Sequence, residues 1–160
     1  MTGIRIWLTA GALVVLTLGA SACDLAPAAR QANTDVQAAQ KAEDLQVQVD
    51  LRNALNTART FYSEAATYTG IAPASLATIE PAACYVSSLA SSSPTGHGCE
   101  AGQGSPSLSV LGEGSAFAAA AMGPTGTCYW IRDVIGQGTF YGSGSPCTGT
   151  AALAASGPSF

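Results

Sequence analysis

Apolar and polar residues divide the chain into three parts. Residues 6 to 22 are an almost unbroken apolar run (IWLTAGALVVLTLGASA) that follows a single basic residue, Arg5. Residues 30 to 66 contain no glycine or proline and are dominated by Ala, Gln, Leu, Glu and Arg, all good helix formers. Within them Leu45, Val49, Leu55, Ala58, Tyr62 and Ala65 predict one apolar stripe, flanked by Leu51 and Phe61. The residues before Leu45 are rich in Ala and Gln and have little to bury, which predicts a helical stalk. Gly70 and Pro73 are the expected stop.

After Gly70 the pattern shortens. Residues 87 to 107 (SSLASSSPTGHGCEAGQGSPS) read as loop. SLSVL (107–111) alternates polar and apolar. SAFAAAAM (115–122) is apolar with weak strand propensity, and TCYWIRDV (127–134) is the strongest strand. GTFYG (138–142) follows across a glycine-bounded turn suited to a hairpin. One long helix followed by three or four antiparallel strands predicts an α+β fold. The helix buries its stripe on one face of a small antiparallel sheet. The expected division is 1–22 as signal or anchor segment, 23–44 as linker and stalk, and 45–160 as globular domain.

Composition narrows the function classes. Six Lys and Arg stand against ten acids, for a net charge of −4. No basic face is available for nucleic acid, which binds through its phosphates. The five cysteines are Cys23, Cys84, Cys99, Cys128 and Cys147, with no CxxC pair among them. The last four lie 15, 29 and 19 residues apart, and nearest neighbours pair them as Cys84–Cys99 and Cys128–Cys147, one of three possible arrangements. Cys23 ends the apolar run. A basic residue, an apolar stretch and small residues make a secretory signal. ASAC resembles a lipobox, which implies that Cys23 is acylated and becomes the first mature residue. An uncut hydrophobic helix and simple secretion are the alternatives. All three place the globular part outside the cytoplasm, where disulfides persist.

Catalytic chemistry finds little support. The sole histidine, His97, sits in the glycine-rich loop beside Cys99. Its spacing from Cys84 and Cys99 fits no structural zinc pattern, and no GxSxG accompanies it. Glu80, Glu100, Glu113 and Asp133 are sparse and read as solvated strand-end charges; Glu43, Asp50, Arg52 and Arg59 read as solvated helix charges. No enzyme activity, cofactor or metal is expected. Of the strand aromatics Tyr129, Trp130, Phe140 and Tyr141, about half are expected in the core, leaving Trp130 and Tyr141 as the candidate partner contact.

Three stretches, in order, resemble type IV pilins and pseudopilins of the actinobacterial type. They are DLRNALNTARTFYSEAATYTG (50–70), SLSVLGEGSAFAAAAMGPTGTCYWIRD (107–133) and GTFYGSGSPCTGTAALAA (138–155). The resemblance spans roughly residues 44 to 155. It implies a helix packed on an antiparallel sheet and an exposed C-terminal disulfide loop bracketed by Cys128 and Cys147. It further implies a minor pilin, pseudopilin or accessory subunit that contacts other pilin-like subunits or cell-surface proteins. The N-terminus departs from that family: no Gly-Phe cleavage pair occurs, and no acid precedes Asp24. A lipid-anchored, pilin-like domain fits this combination, either within such a machine or as a module that binds a cell-surface ligand.

Overall fold

The computed structural model describes residues 25–87 and 106–155, with side-chain environments from Arg30 onward. Two compact units divide the chain, Met1–Asp35 and Val36–Phe160. Of the first, the described part is helical and exposed from Arg30 on. The second holds the sheet. Among the described residues no helix is long and apolar enough to cross a membrane.

Helix α1 covers Leu25–Ala65. It begins earlier than the pattern predicts, with Pro27 in the first turn, where a missing N–H costs nothing. It ends at Ala65, because Ala66 takes a positive φ of 54° and its amide closes the last turn on the Tyr62 carbonyl. Gly70 therefore lies beyond the end of the helix. Pro73 opens a short helix, α2 (Pro73–Ile79), that the sequence pattern does not predict.

The sheet has five strands in the order β1-β2-β3-β4-β5: β1 (Cys84–Val86), β2 (Ser107–Glu113), β3 (Ala116–Met122), β4 (Cys128–Val134) and β5 (Gly138–Ser143). The last four form the antiparallel meander read from the sequence, within a residue at most strand ends. β1 is an addition and pairs parallel to β2. A final helix, α3 (Gly149–Ala154), is a second addition.

β3 explains how the two faces are used. Phe117, Ala119 and Ala121 belong to the core shared with α1, whereas Ala118 and Ala120 join Ala152 of α3 on the opposite face. Alternation places successive side chains on opposite faces. A central strand of alanines therefore lets helices approach closely from both sides. Its weak strand propensity is overridden by packing. Gly149 marks the closest approach of α3. A Cβ there would meet the Val110 carbonyl carbon at 2.8 Å and the Leu111 amide nitrogen at 2.9 Å. Gly149→Ala is expected to lose about 1–3 kcal/mol of stability, read as a fall in the urea midpoint at constant slope.

The buried stripe of α1 differs from the one predicted. Val47, Leu51, Ala54, Leu55 and Ala58 are buried, while Leu45 (54% exposed) and Val49 (42% exposed) face solvent. Steps of four, three, one and three hold one helical face to the sheet. The six-residue gap from Val49 to Leu55 rotates Val49 away by about two thirds of a turn. Two substitutions separate the stripes. Val47→Ala is expected to cost about 1–2 kcal/mol, and Leu45→Gln to stay within about 0.5 kcal/mol of wild type. Equal losses at both positions in chemical denaturation would contradict this assignment.

Candidate functional site

Two buried carboxylates tie α1 to the sheet. Asp133 of β4 is 2% exposed. It accepts hydrogen bonds from Arg59 Nη2 at 2.6 Å, Thr139 Oγ1 at 2.7 Å and Tyr68 Oη at 2.8 Å. One acid thus joins α1, the loop after it, β4 and β5. Burial alone would raise the Asp133 pKa, but the hydrogen bonds from Arg59, Thr139 and Tyr68 outweigh it and hold the carboxyl below the usual carboxylate range. The same contacts push Tyr68 up, first by burial and then by the carboxylate it donates to. Arg59 is raised chiefly by its hydrogen bond to Asp133. Asp133 is therefore not a solvated strand-end charge, nor Arg59 a solvated helix charge. Alternation along β4 puts Arg132 and Asp133 on opposite faces; Asp133 takes the helix side and finds its cation 74 residues away.

The second anchor is Asp44, at the first buried turn of α1 and 7% exposed. Its Oδ2 accepts from Thr125 Oγ1 at 2.7 Å and Tyr129 Oη at 3.1 Å. Its Oδ1 has no hydrogen-bond partner and packs on Gly123, where a Cβ could not fit beside it. Sequence reading missed Asp44. The available signal was its position three residues before Val47 on the buried face.

On the opposite face, Cys128 and Cys147 form a disulfide with Cα atoms 5.5 Å apart. It joins the start of β4 to the segment entering α3. Thr148 caps α3 by accepting from the Ala151 amide at 3.1 Å, and Ser109 Oγ accepts from the Gly149 amide at 3.0 Å. Arg132 donates through Nη1 to the carbonyls of Leu153 at 3.2 Å and Ala155 at 2.6 Å, where a cation suits the carbonyl end of a helix. Its guanidinium also lies 4.8 Å from the Phe140 ring centre. The expected Cys128–Cys147 bracket is therefore present; the loop it closes holds β4 and β5, and the chain just after Cys147 docks on the sheet as α3. Cys84 is also disulfide-bonded, and Ser107 Oγ lies 3.3 Å from its sulfur. Cys99, His97 and Cys23, with any acylation of it, lie outside the described residues.

The two aromatic candidates belong to opposite faces of the sheet, although both contribute atoms to a small hollow beside Gln48, Leu51 and Arg52 of α1. Trp130 pairs with Gly142, and Tyr141 pairs with Ile131 on the adjacent rung, so the two side chains occupy opposite faces of the sheet. Trp130 packs beside Cys147 and Leu153, with its indole over Gly142, where a side chain would collide with it. Tyr141 is half-buried on the α1 side, with the Arg52 guanidinium 5.7 Å from its ring centre.

At the far edge of the sheet, a pocket of about 180 Å³ opens beside β1, lined by Asp50 and Asn53 of α1, Glu80 at the end of α2, and Ala83, Cys84 and Leu108. Among the described residues no group of three or more His, Cys, Asp or Glu is placed to hold a metal. No protein-family model, curated protein or solved structure matches this chain.

Proposed function

We propose that the protein is an extracytoplasmic, membrane-anchored, pilin-like protein, acting as a minor pilin, pseudopilin or accessory subunit of a type IV pilus or related secretion system. It works without catalysis, through contacts with other pilin-like subunits or cell-surface proteins. The observation that supports this reading is the chain order of the architecture. A 41-residue helix lays one stripe on an antiparallel meander whose C-terminal end is bracketed by Cys128–Cys147. The hydrophobic segment upstream supplies the anchor, through an acylated Cys23 or as a retained helix. Residues 30 to 43 contribute no fully buried side chain, which suits a stalk.

Intact mass of the mature protein, extracted from its native membrane, tests the anchor. A mass beginning at Cys23 with added acyl chains supports the lipid-anchored form. A mass retaining residues from about Ile6 supports a membrane helix. An unmodified, soluble product overturns the anchored reading. Cross-linking in intact cells tests the assembly. Adducts containing other pilin-like subunits support it, and their complete absence from cells that display the machine overturns it.

A further inference from the structure

The pocket beside β1 is lined by two carboxylates, on different elements, that form no ion pair among the described residues. Asp50 extends from α1, and Glu80 sits where α2 ends, its amide closing that helix on the Leu76 carbonyl at 2.9 Å. The side-chain amide of Asn53, one turn beyond Asp50, adds a third oxygen acceptor. One Asp50 oxygen accepts from Gln46 Nε2 at 2.9 Å. Among the described residues the cations are engaged elsewhere or distant in sequence. Arg59 is on Asp133, Arg132 on the end of α3 and Arg52 over Tyr141, and none of them lines this pocket. The remaining wall is apolar, from Leu108, Ala82, Ala83 and the disulfide-bonded Cys84.

Next to Cys84 on β1, Tyr85 is fully buried and is in register with Leu108 of the pocket wall. Its hydroxyl has no partner within hydrogen-bonding geometry. Burial raises its pKa, the neighbouring Thr57 hydroxyl lowers it, and the charges of Glu80 and Asp50 add smaller increases.

We infer that this pocket is a binding site for a primary alkylammonium group, held by Asp50, Glu80 and Asn53 around its charge and by Leu108 and Ala83 along its methylenes. An ammonium carries three donors and no acceptor, matching three separate oxygen acceptors with no cation among the described lining residues. A cavity of about 180 Å³ accommodates a chain of four or five carbons behind the charge. Partly enclosed acids attract a cation more strongly than exposed ones, because less water screens them. The same chemistry is offered by a free alkylamine and by the side chain of a lysine on another protein. The inference is independent of how the chain is anchored or assembled.

The test is a ¹H–¹⁵N NMR titration of the full-length chain in detergent micelles with pentylammonium, with a lysine tripeptide blocked at both ends, with 1-pentanol and with calcium. Saturable shifts confined to Asp50, Asn53, Glu80 and their neighbours, produced by an amine and not by pentanol, are the expected result. Asp50→Asn with Glu80→Gln is expected to weaken binding at least tenfold while leaving the β3 and β4 resonances in place, which shows that the variant is folded. Tighter binding of the tripeptide than of pentylammonium assigns the source to a protein lysine, and the reverse order to a free amine. Equal shifts with pentanol would reduce the site to an apolar hole. Saturation by calcium in place of amines would make it a metal site. No saturable shift would remove it, and undiminished amine binding by the double variant would remove these acids from it. Each of these four outcomes overturns the inference.

Discussion

Asp133→Ala is expected to lower the unfolding free energy by about 2–4 kcal/mol, from lost hydrogen bonds to a charged group and a buried hydroxyl left without an acceptor. Of the donors left behind, Arg59 and Tyr68 fare differently. Arg59, whose side chain is half exposed, can turn to water at little cost. Tyr68 cannot, because it is fully buried against Tyr62 and Phe117, with ring centres 4.7 and 5.8 Å away. Its hydroxyl is left without an acceptor. Arg59→Ala is therefore expected to cost less than Asp133→Ala, since Asp133 keeps two hydroxyl donors. The pH dependence follows from the same contacts. Asp133 has a depressed folded pKa, so its contribution is present above the ordinary aspartate value near 4 and is lost as pH falls through the lower folded value. Tyr68 has a raised folded pKa, so its contribution is present below its ordinary value of 10.0 and is lost as pH rises beyond it. The cluster should stabilise most between about pH 5 and 9. Unfolding midpoints of wild type and Asp133→Asn, measured from pH 2 to 11, check this. The two curves should converge toward the acid end. A constant offset at every pH would show that the carboxylate's charge is not what stabilises the junction.

The sequence made the meander legible because each strand carries a local signal. β2 alternates, β4 is aromatic and β-branched, and glycines bound the turn before β5. The missing elements lack such a signal. β1 has three residues and earns its place by pairing in parallel with β2, from across a stretch of more than twenty residues. α3 is built from Gly, Thr, Ala and Leu, and a six-residue helix is not stable by its own propensity. What holds it is the local Thr148 cap together with the disulfide, the Ser109 contact and Arg132, and these last three reach it only through the fold. The phase error in α1 has a related cause. Alanine is apolar enough to fill a stripe yet small enough to be overlooked, so the larger Leu45 and Val49 outweighed Ala54 in the pattern. The candidate site was less legible than the fold. Asp133 reads as a strand-end charge until Arg59 is brought to it. Trp130 and Tyr141 read as a pair until the register with Gly142 and Ile131 places them on opposite faces.

Replacing both Cys128 and Cys147 by serine is expected to cost about 3 kcal/mol. A loop of 19 residues' separation lies in the range where cross-linking removes that much freedom from the unfolded chain. The structural consequence should be local before it is global. α3 touches the sheet through Ala152 and Leu153 against Ala118, Ala120 and Trp130, a contact of mostly small side chains. Without the covalent tie, the cap at Thr148 and the Arg132 contacts hold six residues that cannot persist as an isolated helix. Amide exchange should therefore accelerate at Ala151 and Ala152, while β3 amides such as Ala119, covered on the other face by α1, stay protected up to global unfolding. Trp130 provides a second readout, since its indole packs beside Cys147 and Leu153 and should become more accessible to a neutral quencher. Uniform acceleration across β3 and α3 would mean that the disulfide supports the whole sheet. Unchanged exchange in α3 would mean that Arg132 and the Thr148 cap suffice, and that the covalent bracket contributes to the unfolded state alone. The first pattern, confined to α3, is the one that follows if Cys128–Cys147 holds a small-residue helix onto a face that alanines have made flat enough to receive it.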